Sequence, residues 1–122
     1  MNELGLIFNY EGRWKDLNCL GGQSGNVEKF TAAVPPGYIY VLQQASLVYF
    51  GGSPRECGIE LRTAENEFVD IAHNLSLVSA SRLLYTGEVV LKEGDYVRFW
   101  WLGLSANSDV HWRAWGYKMR LY

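Results

Sequence analysis

Residues 88–104 read EVVLKEGDYVRFWWLGL, and this pattern decides the fold class. The segment from Lys92 to Asp95 predicts a tight turn, because Gly94 can take a positive φ without steric cost. On both sides of the turn, apolar residues recur at every second position, which is typical of β-strands. The sequence therefore predicts two strands joined by a hairpin turn.

The second strand of this hairpin is apolar on both faces. Val97, Phe99 and Trp101 share one parity, and we expect them to face the core. The opposite stripe contains two further aromatic residues, Tyr96 and Trp100. One face can be the core of the domain, so the other needs a partner, a long loop or a ligand to cover it.

The rest of the chain continues the β pattern. A turn at Pro36-Gly37 precedes a long strand predicted over residues 38–50, with a bulge at Gln43 and Gln44. In the last strand, residues 110–122, the apolar parity changes at Gly116, which predicts a bulge or a move between sheets. No segment predicts a helix. We predict an all-β, antiparallel β-sandwich of jelly-roll type, with an immunoglobulin-like sandwich as the alternative.

Residues 1–25 differ from the rest of the chain. A short alternating pattern is followed by the Gly-rich residues 19–26, which predict a mobile connection. Residues 103–109 predict another loop. We therefore predict an N-terminal arm and flexible loop over residues 1–25 and a single jelly-roll domain over residues 26–122. The arm could be the first strand of the sandwich, or it could reach onto a neighbouring subunit.

Length and composition exclude several classes of protein. The 122 residues are 48% hydrophobic and carry a formal net charge of −2, which predicts one folded domain and argues against a basic nucleic-acid surface. The chain shows no signal-peptide pattern and no apolar run near the ~20 residues of a membrane helix. We expect no nucleic-acid partner, no membrane contact and synthesis in a cytoplasm.

Candidate catalytic residues are few. The two histidines are His73 and His111, and no serine lies in a Gly-x-Ser-x-Gly elbow. Cys19 and Cys57 are far apart in sequence, a spacing that does not predict a metal site. We expect no catalytic set, metal or cofactor, and two free, partly buried thiols, with a disulfide between them as the alternative. An enzyme would need His73 or His111 beside an acid in a pocket.

Five tryptophans and eight tyrosines are many for this length. They can pack in a β core, or they can lie exposed and bind protein or sugar. We predict an outward-facing, partner-binding patch formed by Trp14, Tyr96, Trp100 and Trp112. The simplest partner that could bury such a patch is a second copy of the chain.

Two segments resemble a known family. They are AVPPGYIYVL, residues 33–42, and VVLKEGDYVRF, residues 89–99. Together with the strand that closes the chain at Tyr122, they are similar to the small single-jelly-roll proteins of tailed bacteriophage particles. In that family a V-P-x-G corner precedes a long strand, and an L-x-x-G-D-x-V/I turn precedes a late one. The resemblance covers residues 27–122.

The resemblance implies a capsid decoration (cement) protein, or a related accessory head or tail protein. Such a structural virion protein is made in the host cytoplasm, forms a homotrimer on the capsid surface and clamps neighbouring subunits of the major capsid protein. The arm lies outside the resemblance, and we predict Leu6, Phe8, Tyr10 and Trp14 as its contact residues. The alternatives are a monomeric carbohydrate-binding module, an enzyme, and a tail or fibre component that binds a host surface.

Overall fold

The computed structural model describes residues 8–50, 54, 56–74 and 82–121. They contain six β-strands in one antiparallel sheet and no helix that could cross a membrane. The prediction of an all-β, antiparallel, jelly-roll-like fold is confirmed. The strands are β1 (Phe8–Phe30), β2 (Tyr38–Phe50), β3 (Glu56–Arg62), β4 (Phe68–Asn74), β5 (Arg82–Leu91) and β6 (Tyr96–Leu121).

The sheet is built around β6. One edge of β6 pairs with β1 over almost its whole length. On the other edge, residues 96–102 pair with β3 and residues 109–120 pair with β2. β5 extends the sheet beyond β2, and β4 extends it beyond β3. We call β5, β2 and the parts of β6 and β1 beside them the β2 half, and the remainder the β3 half.

The β1–β6 pair bends where it passes from one half to the other. Register shifts between the two strands are concentrated between Leu20 and Val27. Gly25 and Gly103 have positive φ there, a conformation that glycine adopts without steric cost. The side chain of Asn26 accepts a hydrogen bond of 3.0 Å from the N–H of Gly103. The bend brings the far strands together, since β4 contacts β5, and the sheet nearly closes into a barrel-like shape.

The loop predicted over residues 19–26 is therefore part of β1, and the loop predicted over residues 103–109 is part of β6. Glycine in a strand can mark a bulge as well as a loop, and here the bulges let both strands turn without leaving the sheet. The predicted boundary at residue 25 falls inside β1. The part of the arm that the structure describes is paired with β6.

The predicted tight turn is present, but the predicted hairpin is wrong, because β5 and β6 on either side of the turn do not pair with each other. β5 pairs with β2, and the start of β6 pairs with β3 and β1. Gly94 has a φ of 84°, and the N–H of Asp95 donates to the carbonyl of Lys92 at 2.9 Å. The Asp95 carboxylate accepts a second bond of 2.9 Å from the N–H of Lys92. The N–H of Gly94 also donates to the carbonyl of Val34, so the turn is tied to the segment that precedes β2.

β2 has the predicted bounds and the predicted irregularity. It begins after a turn closed by a 3.3 Å hydrogen bond from Tyr38 N–H to the Pro35 carbonyl, with a φ of 82° at Gly37. Its register with both β5 and β6 shifts between Leu42 and Gln44. Since β2 has a neighbour on each side, it is an internal strand, as its apolar sequence predicted.

The core lies between the two halves. The predicted stripe of Val97, Phe99 and Trp101 is confirmed, because all three side chains are 0% exposed. Trp101 meets Trp112 edge-to-face, with ring centroids 6.3 Å apart, and this contact joins the parts of β6 that belong to different halves. Other large and fully buried side chains are Leu42, Leu47, Tyr49, Ile59 and Leu91.

β6 keeps its alternation through Gly116, so the predicted change of parity there is wrong. Ala114 is fully buried, and Gly116 is buried opposite Leu42 of the core. The extra residue is instead in β2, between Leu42 and Gln44. It shifts the pairing of β2 with β6 by one residue, so β6 itself needs no bulge. Trp115 consequently lies on the outer face of the sheet.

Candidate functional site on the outer face of the β2 half

Three tryptophans predicted for an outward-facing patch are buried. Trp14, Trp100 and Trp112 are each 8% exposed. Trp14 packs against Tyr40 with ring centroids 5.1 Å apart, and Trp112 packs against Trp101. The prediction of an outward-facing patch is wrong for these three residues, because other parts of the same chain cover them.

Trp100 shows how the second face of β6 is covered. Its ring centroid lies 5.2 Å from that of His73 and 5.8 Å from the guanidinium carbon of Arg98. Its cross-strand neighbour is Gly58, where a Cβ atom would collide with the indole. Side chains and a glycine of β3, β4 and β6 therefore take the place that a ligand or partner could have filled.

An ion-pair network lies beside Trp100. Arg98 donates to Glu60 Oε1 at 2.9 Å and to Glu28 Oε2 at 2.8 Å. Arg62 donates to the same Glu60 oxygen at 2.8 Å. The network joins β1, β3 and β6 around a carboxylate that is almost fully buried. Because these charges are paired with one another, the network is structural and offers no free group to a ligand.

The remaining predicted contact residues have different surroundings. Tyr96 is half-buried and meets Phe30 edge-to-face, with ring centroids 5.6 Å apart. Leu6 lies outside the described residues. Phe8 begins β1, and only its backbone is described.

Tyr10 belongs to an apolar surface that we call the outer patch. Tyr10 is 65% exposed, its ring centroid lies 6.1 Å from that of Tyr117, and Val90 is 55% exposed. Cross-strand pairs make the members contiguous over four strands. Val41, at the centre of the patch, is 3% exposed, and the other members are not among the described residues that form the core or pack against it. The members are Tyr10, Ile39, Val41, Val90, Tyr117 and Met119.

A groove of about 620 Å³ lies next to the outer patch on the same face. Its floor follows β2, where Ser46 pairs with Leu84 of β5 on one side and with Arg113 of β6 on the other. Because the side chain of Ser46 is shorter than those of Leu84 and Arg113 on the two neighbouring strands, a channel is left along β2. The groove is lined by Gln44, Ser46, Val48, Phe50, Arg82, Leu84, His111, Arg113 and Trp115.

The groove is cationic and partly aromatic. No carboxylate lines it, and no ion pair within the described residues involves Arg82 or Arg113. Trp115 also lines a smaller depression with Arg13 and Lys15, so two basic side chains line the groove and two more line the neighbouring depression. Two arginines without acidic partners, on a chain with a formal net charge of −2, make a local positive region.

Sequence reasoning missed this groove. It placed Trp115 with the core-facing residues, because it assumed a parity change at Gly116. The signal that could have found the groove is the uninterrupted alternation of β6, which puts His111, Arg113 and Trp115 on one face. The β2 and β5 residues opposite them depend on strand register, which no local pattern gives.

The two histidines have acidic neighbours. His73 Nε2 lies 3.6 Å from Glu56 Oε1, and His111 shares a small depression with Cys19 and Asp109. Among the residues described, no hydrogen bond joins Cys19 to His111, and no three metal-ligating side chains come together. The absence of enzymatic activity stays a prediction.

The two thiols are free and differ in environment. Cys19 is exposed, where the sequence led us to expect partial burial, and Cys57 is buried in the core. Burial raises the pKa of Cys57 to about 11. The thiolate is the reactive form, so the Cys57 thiol is both inaccessible and protonated near neutral pH.

We expect iodoacetamide at about pH 8 to alkylate the native chain at Cys19 and to spare Cys57. After unfolding in urea, both thiols should react, and intact mass with peptide mapping counts and assigns the adducts. The raised pKa favours the protonated thiol in the folded state, so its stabilising effect is complete below pH 9.0 and declines as the pH rises toward about 11. Rapid alkylation of Cys57 in the native chain would contradict its position in the core.

The sequence matches no family model and no curated protein. Among solved structures, the SPBc2 prophage-derived protein YomS is similar to it, with a TM-score of 0.53, 10% sequence identity, and coverage of 84% of this chain and 96% of YomS. At this identity the similarity concerns the fold.

Two further structures match less well. A CBM4 carbohydrate-binding module has a TM-score of 0.34 and 11% identity, and the match covers 93% of this chain and 95% of that one. A structure of infectious bursal disease virus, Gx strain, has a TM-score of 0.33 and 8% identity, and covers 95% of this chain and 39% of that one. The chain is therefore an all-β protein whose fold is similar to that of a prophage-derived protein.

Proposed function

We propose that this chain is a structural virion protein, which associates with itself as a trimer and stabilises a phage capsid by bridging neighbouring capsid subunits. Its action is mechanical, with apolar area buried across subunit boundaries, and it needs no catalytic group or cofactor. The jelly-roll resemblance suggests this role. The fold similarity to prophage-derived YomS supports a phage origin.

The observation that carries self-association is the outer patch. Its six side chains come from four strands of one sheet, so they are held on a rigid surface. Alternate residues of the same strands fill the core, which leaves these side chains facing away from it. Contiguous apolar surface of this kind is rare on soluble monomers, and covering it is favourable by about 25 cal/mol per Å².

A second copy of the chain is the occupant that the outer patch fits best. None of its six members is charged, so three copies can bring their patches together around a three-fold axis without opposing like charges. The cationic groove beside it would repel its equivalent in another copy if the two grooves were superimposed. This arrangement favours a contact centred on the outer patch, with the groove at its rim or outside it.

We expect Val90→Lys to reduce the native mass of the assembled chain to that of the monomer. Val90 is 55% exposed, so the change should leave the fold intact, but a lysine inside an apolar contact would be buried without a partner. Val69→Lys is the matched control, because Val69 is 57% exposed on β4 in the other half. Light scattering on the wild type and both variants, over a concentration series, provides the masses.

Loss of the assembly in both variants, or in neither, would contradict the assignment of the outer patch. A wild-type chain that stays monomeric at every concentration would contradict the proposal of a trimer itself. Circular dichroism melting curves of the two variants verify that each one is folded.

Saccharide binding in the groove is a second candidate function, as expected of a tail or fibre component. The groove combines aromatic rings at Trp115 and Phe50 with hydrogen-bonding groups at Gln44 and Ser46. Its volume of about 620 Å³ is within the usual range for small-molecule sites. The aromatic rings can pack on the apolar faces of sugars, and the polar groups can bind their hydroxyls.

A further inference from the structure

We infer that the groove binds an acidic oligosaccharide, whose carboxylate or sulfate group lies between Arg82 and Arg113. This inference rests on the second candidate function and adds the charge of the ligand. Three properties of the groove support it: two arginines with no acidic partner among the described residues, an aromatic wall and a small floor.

The cations are available to a ligand. Arg82 comes from β5 and Arg113 from β6, on opposite sides of β2, and neither forms an ion pair within the described parts of the chain. By contrast, Arg98 and Arg62 of the other half are paired with glutamates. A guanidinium presents a planar fork of donors that matches a carboxylate or a sulfate, so an anion fits between the two walls.

The aromatic wall favours a sugar over an isolated small anion. Trp115 of β6 stands beside Arg113 on the same face, and the ring of Phe50 meets His111 edge-to-face at 5.4 Å. These rings lie along the groove rather than at one point, as a chain of sugar rings requires. Trp115 also separates the groove from the depression that holds Arg13 and Lys15, so a longer ligand would meet further basic groups.

The floor of the groove leaves space for a ligand and carries hydrogen-bonding groups. Ser46 is 6% exposed at the centre of the groove, where a larger residue would fill the channel. Gln44 lies at one end and carries both a donor and an acceptor, which suit sugar hydroxyls. A nucleic acid is the less favoured anion, because the chain as a whole is acidic and base stacking would be limited to isolated rings.

Titration of the full chain with acidic and neutral oligosaccharides, followed by tryptophan fluorescence and calorimetry, tests the inference. The acidic probes are trigalacturonate, a hyaluronate hexasaccharide, sialyllactose and a heparin tetrasaccharide. The neutral probes are fully methyl-esterified trigalacturonate and lactose, and single-stranded oligothymidylate represents nucleic acid. We expect at least one acidic probe to bind more than about tenfold more tightly than its neutral counterpart, as a charged hydrogen bond is worth about 1.5–3 kcal/mol. The galacturonate, hyaluronate and sialyl probes carry carboxylates alone, and heparin carries both carboxylates and sulfates. Tighter binding of heparin than of hyaluronate would therefore indicate a sulfate, and comparable binding a carboxylate.

Variants locate the site. Arg113→Gln and Arg82→Gln should each weaken the bound acidic probe by about tenfold or more. Arg120→Gln is the control, because the Arg120 side chain is 62% exposed and lies outside the groove. Equal loss in the control, or no loss in either groove variant, would overturn the inference.

The probes also distinguish a failure of this inference from a failure of the second candidate function, saccharide binding. Equal binding of acidic and neutral sugars would overturn the inference and keep saccharide binding. Tighter binding of oligothymidylate than of any sugar would overturn both. Binding of no probe would likewise overturn both and would leave the assembly proposal to its own test, the native mass.

Discussion

Gly116→Ala is expected to destabilise the fold by about 3 kcal/mol and to lower its melting temperature by about 10 °C. A Cβ atom at this position would collide with the carbonyl oxygen of Val41 and lie 3.0 Å from the backbone N of Gln43. Both atoms belong to the backbone of β2, at the bulge, so no change of rotamer can relieve the collision. β2 is an internal strand, so its backbone cannot move without disturbing β5 as well.

Gly12→Ala is the matched control for this substitution. Gly12 is also a strand glycine, and a Cβ atom there would have no other atom within 4 Å. We expect its effect to be within about 0.5 kcal/mol. Chemical denaturation monitored by tryptophan fluorescence measures both variants. Similar stability of the two variants would show that the β2 bulge does not lie against Gly116.

Arg98→Met is expected to cost about 2–3 kcal/mol. Glu60 is 4% exposed, and among the described residues its carboxylate would retain only its bond to Arg62. The Arg98 side chain is itself 19% exposed, so water can compensate for part of the loss, and the expected cost is below the about 3–5 kcal/mol typical of broken buried pairs. The cost arises from the charge left on Glu60 rather than from lost packing.

A double variant tests whether the charge on Glu60 is the cause of this loss. Adding Glu60→Gln to Arg98→Met removes the buried charge, which has then lost one of its two arginine partners, so the double variant should recover more than half of the lost stability. Arg120→Met should cost less than about 1 kcal/mol, because its ion pair with Glu11 is exposed and 3.9 Å long. A double variant less stable than Arg98→Met would show that packing against Trp100 dominates the effect.

Local patterns in the sequence predicted the features that depend on neighbouring residues. The tight turn at Gly94, the bounds of β2 and its bulge at Gln43 follow from period-two alternation and from turn residues. The predicted pairing of the two strands beside that turn was wrong, because β2 lies between β5 and β6 in the sheet. The buried stripe that ends at Trp101 was predicted for the same reason. These signals are complete within about ten residues of sequence, so no tertiary information is needed to interpret them.

The features that were missed depend on strands that are distant in sequence. Tyr40 covers Trp14, and His73 covers Trp100. Their burial depends on which strands pair, and the residues next to each tryptophan in sequence do not indicate that pairing. The groove draws on β2, β5 and β6, and its lining follows from register alone. Glycines in residues 19–26 suggested a loop, but a bent strand needs the same conformations.

Hydroxyl-radical footprinting tests the assembly surface most directly. The wild-type chain is oxidised at a concentration where light scattering shows the monomer, and again where it shows the assembly. We predict that Tyr10, Tyr117 and Met119 lose reactivity in the assembly, whereas Phe68, which is 60% exposed on β4, keeps it. Unchanged reactivity of Tyr10 and Tyr117 in the assembled chain would contradict the claim that the outer patch is where the subunits meet.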